Sequence, residues 1–316
     1  MAASDEPRSM RAVRYHVYGP ASVLALEDVA RPQPKDGEVL LSVRAAGVNA
    51  IDWKFRAGQL KEWVPLELPH TPGLDVAGTV EQVATGVSDF TPGDDVFGRG
   101  SGAYAEYATA PADNIARKPA GISIEEAATL AIGGVTAWAA LFDAANLESG
   151  QRVVVQGGAG GVGSLAVQLA HWKGAHVIAT TSTSNVDHVQ SLGADEVIDY
   201  TTSRFEELVH DVDVVIDTVG GDVTDRSWSV LKPGGILVVV AGMPEPEKAE
   251  AHGVRTSGVQ SPQVTRPVLE KLVKLIEAGA LVPQVGKVFS LSEVALAHAA
   301  AESGHGRGRI VLRVAE

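Results

Sequence analysis

VVVQGGAGGVG, Val153 to Gly163, decides the fold of this chain of 316 residues. A run of β-branched apolar residues ends at Gln156, and a glycine-rich turn follows. Ser164 to Trp172 then continues at helical spacing through Leu165, Val167, Leu169 and Trp172. Strand, turn and helix in that order is the setting in which GxGxxG carries meaning, here as Gly158, Gly160 and Gly163. One glycine lets the turn close, another lets backbone N–H groups approach a pyrophosphate, and the last lets the helix pack near its strand. The helix N-terminus adds unpaired N–H groups and a partial positive charge. The stretch therefore predicts a dinucleotide over Gly158, Ala159, Gly160, Gly161 and Val162; the alternative is a plain strand-to-helix turn in some other α/β protein.

Downstream, the rhythm is βαβα. Strands are expected at 152–156, 175–180, 196–199, 212–217 and 235–240, with helices between them. Asp213 to Asp217 and Ile236 to Val240 are near-continuous apolar runs, as central parallel strands are. Residues 243–264 read as irregular. Val268 to Ala278 is an amphipathic helix stopped by Gly279, and a helix near Glu293 to Glu302 precedes β character at Ile310 to Val314. Upstream, residues 10–118 are β-rich, with alternating patterns at Ala12 to His16, Glu38 to Ala46 and Ala77 to Val83 between Pro and Gly turns. A helix pair, Ile124 to Leu130 and Thr136 to Asn146, links the halves after Gly133-Gly134. The β-type tail suggests that the chain crosses back to complete the first domain.

Composition narrows the class. Hydrophobic residues make up 45% and charged residues 21%, ordinary for a globular protein. No apolar run reaches the roughly 20 residues that a membrane helix needs. Residues 1–9, MAASDEPRS, read as a disordered leader, not a signal peptide. The absence of cysteine rules out disulfides and thiolate metal sites and fits a cytoplasmic enzyme. A net charge of -13 argues against nucleic acid as partner.

In a doubly wound sheet, ligands lie beyond the carboxyl ends of the strands. The second strand ends in ATTSTSN, with no carboxylate before Asp187. Hydroxyl and amide donors such as Thr181, Ser182 and Asn185 suit a 2′-phosphate, which favours NADPH over NADH, although no cation stands in this loop. Tyr200 and Arg204, after the third strand, could add contacts. The same hydroxyls could simply cap the helix that begins near Asn185. The nine histidines form no HExxH, and His298 and His305 read as solvated residues of a polar helix and loop, so no metal site is expected.

GVNAIDWKFRAG (47–58), PHTPGLDVAGTV (69–80), GDDVFG (93–98), GAYAEY (102–107), GGVTAW (133–138), SLGADEVIDY (191–200), DVVIDTVGG (213–221), LKPGGILV (231–238) and GHGRGRIVL (304–312) fall in one order. That order resembles the medium-chain dehydrogenase/reductase superfamily, in its zinc-free quinone oxidoreductase branch. The resemblance implies an α/β protein with a GroES-like β-rich substrate domain (10–128, completed by 282–316) and a Rossmann dinucleotide domain with a doubly wound parallel sheet (129–281). Asn49 stands where zinc alcohol dehydrogenases carry a zinc-binding cysteine, and it resembles the asparagine beside the nicotinamide. Asp52 and Trp53 would lie along the same cleft wall. Thr136 resembles the threonine that contacts the nicotinamide ribose, and Val219, Ala241 and Gly242 would line the nicotinamide. Arg307 and Arg309 stand where relatives often carry a basic residue near the cofactor. Each has a structural alternative: Asn49 holding a turn, Asp52 capping a helix, Trp53 packing in the core, and His70 exposed in its loop.

The implied chemistry is zinc-independent hydride transfer from NADPH to a quinone or an α,β-unsaturated carbonyl. Hydrogen-bond donors such as Asn49 would meet the developing oxyanion. An enoyl-type reductase of a dedicated pathway, or an NADPH-binding protein without turnover, are the rivals. Relatives are often homodimers or homotetramers, and the sheet edge near 235–240 is the expected contact.

Overall fold

The computed structural model describes residues 9–259, 262–304 and 306–315. Most of the leader and His305 therefore lie outside the described residues. β1 (Ser9–Arg14) and β2 (Ala25–Ala30) form an antiparallel ribbon. β3 (Glu38–Val48), β4 (Asp75–Val83), β5 (Asp95–Arg99), β6 (Tyr107–Pro111) and β7 (Ile115–Arg117) then build most of a seven-stranded sheet. β8 (Arg152–Gln156), β9 (His176–Thr181), β10 (Glu196–Asp199), β11 (Val212–Asp217), β12 (Leu231–Val239) and β13 (Arg255–Gly258) form a parallel sheet. β14 (Val285–Ser290) and β15 (Arg309–Arg313) return to the first sheet, where β15 lies antiparallel to β3.

Numbered within the parallel sheet, the strand order is 3-2-1-4-5-6, the doubly wound order of dinucleotide-binding folds. Because side chains alternate along a strand, the two faces feed separate cores. Val153, Val155, Val214, Ile216 and Val238 enter one cluster. Val154, Val215, Leu237 and Val239 enter the other. Both faces are buried, which explains why these strands read as continuous apolar runs. The first cluster also holds Ala45, Ala77, Phe97 and Val311 of the other sheet, so a single core spans both lobes.

Four expectations about the fold are corrected. Residues 243–264 are not irregular throughout: Pro246–Ala251 is a helix and Arg255–Gly258 a strand. This sixth strand is short and half-buried, so its pattern carries little apolar signal, and the sheet edge is β13, not 235–240. Gly133 and Gly134 lie inside the helix Ala131–Trp138, which continues as one π-helical stretch over Ala139–Ala144. Those glycines admit close neighbours, since a Cβ would meet Arg309 Nη2 at 2.4 Å from Gly133 and Leu272 Cδ1 at 2.6 Å from Gly134. Finally, His298 is not solvated. It is 0% exposed in the helix Val294–Glu302, edge-on to Tyr104 at 5.7 Å between ring centres. Among the described residues no helix is long and apolar enough to cross a membrane.

Candidate active site

The glycine turn leaves β8 at Gly157, whose φ of +73° lets the chain reverse without a Cβ penalty. The turn is pinned to β9: Gly157 N–H donates to Thr180 Oγ1 (3.1 Å) and Gly158 N–H to the Thr180 carbonyl (2.8 Å). Gly158 packs on the second strand, and a Cβ there would sit 2.9 Å from that of Ala179. At Gly163, the first residue of the helix Gly163–Lys173, a Cβ would lie 2.2 Å from the Gly157 carbonyl oxygen. Helix and turn can approach this closely only with glycine there. A second turn follows β11, where Val219 and Gly220 N–H groups both donate to Asp217 Oδ1 at 2.9 Å.

A cleft of about 440 Å³ opens over the glycine turn, between the parallel sheet and the tail. Gly160, Gly161, Val162, Thr218 and Ala241 form one wall. Its charged lining residues are Lys54, Lys287, Arg307 and Arg309, and no Asp or Glu among the described residues lines it. Lys54, Lys287 and Arg307 form no ion pair with any described residue. In a chain of net charge -13 this is a marked segregation of charge, and it favours a polyanionic ligand.

Behind the cleft wall, Asn49 precedes the short helix Ala50–Arg56, yet its side chain makes no cap bond to that helix. The Asp52 carboxylate reaches back to the Asn49 N–H at 2.8 Å and supplies the cap. The Asn49 carboxamide is thereby free for two charged neighbours. Its Nδ2 donates to Asp75 Oδ2 (3.0 Å), and its Oδ1 accepts from Arg309 Nη1 (2.7 Å). Asp75 Oδ1 in turn accepts the Ile132 N–H (2.7 Å) at the start of the helix that joins the lobes. Asn49 is 2% exposed, Asp75 0% and Arg309 8%. Burial pushes the Asp75 carboxyl up, and the Arg309 guanidinium opposes that shift. Burial also pushes Asp52 up to about 7, against the donors Asn49 and Tyr104, whose hydroxyl donates to Asp52 Oδ2 at 3.0 Å.

Of the residues singled out in the sequence, Gly160, Gly161, Val162, Ala241, Arg307 and Arg309 border the cleft. Asn49 lies beneath it, between the lining residues Val48 and Ala50. Asp52 is buried as a helix cap, and Trp53 is half-buried with Lys54 Nζ 5.7 Å from its ring centre. Thr136 is buried on the linking helix. Ala159 accepts the Gly308 N–H at 2.8 Å. Thr181, Ser182, Asn185 and Tyr200 gather at the ends of β9 and β10, where Asn185 Nδ2 donates to Ser182 Oγ (3.1 Å) and Tyr200 is 51% exposed. Val219 is exposed, and Gly242 follows Ala241 beyond β12. Arg204 turns away to Glu206 and Glu207. His70 is half-buried and paired through its backbone with Tyr15, not exposed. Sequence reasoning missed Lys54, Lys287, Asp75 and Tyr104. Only Lys54 left a signal, standing four residues after Ala50 on one helical face. Among the described residues, no group of three or more His, Asp or Glu side chains is placed to hold a metal ion.

Known proteins bear on this geometry. Residues 35–120 match the alcohol dehydrogenase GroES-like domain, and residues 192–312 match the zinc-binding dehydrogenase family. The chain is 37% identical to a 2-methylene-furan-3-one reductase of Solanum lycopersicum, over 97% of this chain and 79% of that one. It is 37% identical to the chloroplastic NADPH-dependent alkenal/one oxidoreductase of Arabidopsis thaliana, over 98% and 81%. The solved quinone oxidoreductase from Coxiella burnetii superposes with a TM-score of 0.89 at 35% identity, covering 98% of this chain and 100% of that one. A mycobacterial structure complexed with NADPH superposes at 0.88 with 32% identity, over 96% and 100%. With both lobes, the glycine turn and the tail accounted for along its length, the chain belongs to the quinone oxidoreductase-like branch of the medium-chain dehydrogenase/reductase superfamily.

Proposed function

We propose that this protein is an NADPH-dependent, zinc-independent reductase of small quinones or α,β-unsaturated carbonyls, working in the cytoplasm as a homodimer or homotetramer. The observation that carries the cofactor assignment is the cleft itself: among the described residues it has four cations and no carboxylate, set against a glycine turn whose packing has no room for side chains at Gly158 and Gly163. The residues present therefore fit a dinucleotide. Gly160, Gly161 and Val162 would hold its pyrophosphate, while Thr181, Ser182, Asn185 and Tyr200 would hold the adenosine side, with Arg307 as the cation that the β9 loop lacks. Thr136 would contact the nicotinamide ribose, and Val219, Ala241 and Gly242 would line the nicotinamide. When bound, the nicotinamide supplies the hydride.

The chain's own residues bind and orient. Asn49, buried beneath the cleft with its Nδ2 on Asp75, would turn an N–H to the oxygen of an enone or quinone as charge develops there. Asp52 fixes the Asn49 backbone, and Trp53 would add an apolar face on the acceptor side. The names of the relatives support the substrate class, since two of them act on conjugated carbonyls. The test is steady-state NADPH oxidation across a panel of quinones, enals and enones, with NADPH and NADH binding followed by fluorescence. Turnover of conjugated acceptors but not of saturated ketones is expected. Binding without turnover of any acceptor would overturn the enzymatic reading.

A further inference from the structure

Among the described cations of the cleft, Arg309 alone is buried and committed to partners within the protein. Its guanidinium lies against both lobes. A Cβ added at Gly133 would come within 2.4 Å of Nη2, and one at Gly161, in the glycine turn, within 2.9 Å of Nε. The residue before it is stitched to the same turn: Gly308 N–H donates to the Ala159 carbonyl at 2.8 Å, and Gly308 forms a parallel bridge with Gly160. From that position Arg309 Nη1 grips Asn49 Oδ1. The carboxamide is thus strung between a guanidinium and the Asp75 carboxylate, which itself accepts from Ile132 on the linking helix.

We infer that Arg309 is a positioning residue: it fixes the orientation of the Asn49 carboxamide and ties that orientation to the placement of the glycine turn. The inference rests on the role of Asn49 given above. An amide can flip its O and N ends at little steric cost. Here a flip would turn the NH2 toward a guanidinium and the oxygen toward a carboxylate, so both ends reject it. The surviving N–H therefore has one direction. Charge on both sides also polarises the amide, which strengthens that N–H as a donor. A displacement of the turn moves Gly308, and with it the backbone of Arg309, so an ordered turn and an ordered Asn49 belong to one state.

The test is a double-mutant cycle of Arg309→Lys and Asn49→Ala, read as kcat, KM and the NADPH Kd measured by fluorescence without acceptor. Lysine keeps the charge but loses the planar fork. Arg309→Lys is expected to lower kcat about tenfold or more while the NADPH Kd moves less than about threefold. It should cost little further kcat in the Asn49→Ala background, because coupled residues are non-additive. Gly133→Ala, whose Cβ would crowd Nη2 and lie 3.1 Å from the Gly161 carbonyl oxygen while leaving the charge in place, should reproduce the kcat loss in protein that circular dichroism shows to be folded. Losses that simply add, or an Arg309→Lys enzyme with weakened NADPH binding and normal kcat, would overturn the inference and leave Arg309 a plain phosphate ligand. An Asn49→Ala enzyme with unchanged kcat would instead sink the role assigned to Asn49.

Discussion

Asn49 and Asp52 divide the labour at the head of one short helix. Asp52 caps it, so Asn49 can face Asp75 and Arg309. Asn49→Ala removes the donor proposed for the oxyanion, and kcat should fall about 10²-fold with NADPH affinity little changed. Stopped-flow hydride transfer with an enone checks this. A second expectation concerns pH. Burial raises the folded pKa of Asp52 to about 7 from 3.8, so its contribution to stability is complete below the lower value and lost as pH rises through the upper. His298 does the opposite. Burial and the neighbouring Arg56 lower it from 6.5 to about 3, so its contribution is present above 6.5 and lost as pH falls toward 3. Between about pH 4 and 6.5 the two slopes oppose, each at most about 1.4 kcal/mol per pH unit. Asp75, also raised, and Tyr104 and Arg56 surround the pair and stay in place in both variants. Relative to the parent, Asp52→Asn should make unfolding free energy climb with pH across that window, and His298→Phe should make it fall. Denaturant midpoints at three pH values decide it; parallel curves for all three proteins would refute the assignment.

Among the elements, the glycine turn was legible because a tight strand-to-helix reversal leaves a residue pattern. Gly163 shows the cause: its missing Cβ would press on a backbone carbonyl that cannot move aside. Gly163→Ala should therefore weaken NADPH binding at least about tenfold and lower the melting temperature, since overpacking against rigid backbone is costly. Equal affinity for parent and variant would contradict that account. The helix Arg266–Glu277 was equally legible from its apolar stripe, and Leu272 on that stripe is fully buried against Gly134. Leu272→Ala should cost about 2–5 kcal/mol of unfolding free energy by urea titration. The linking helix was misread at Gly133-Gly134, because glycine is a poor helix former. Tertiary contact overrides propensity there: Arg309 and Leu272 need the space. His298 was misread for a related reason, since a histidine among alanines says nothing about which helical face meets Tyr104.

For the molecule as a whole, the order of βα units sufficed to give the parallel sheet, and the β-type tail hinted at the return to β3. The buried network could not be read in the same way, because Asn49 and Arg309 are 260 residues apart and only folding joins them. Charge is likewise invisible locally. The chain carries -13 overall, yet its cleft presents Lys54, Lys287, Arg307 and Arg309. Such a field is screened by salt. NADPH affinity should fall with ionic strength, and more steeply than that of NADH, because the 2′-phosphate adds negative charge. Lys287→Ala and Arg307→Ala should flatten the slope; identical slopes for the two nucleotides would count against the cleft as the phosphate site.

The path of the tail through the first sheet has a consequence for biosynthesis. β6 covers Glu38 to Ser42 along one margin of β3, but the stretch Ala45 to Val48 on that margin waits for Ile310 to Arg313. A ribosome thus releases nearly the whole inserted lobe before the corner holding Asn49 can shut. A nascent chain halted short of β15 would carry a finished dinucleotide fold beside a bare, pairing-competent rim, the kind of surface that chaperones recognise.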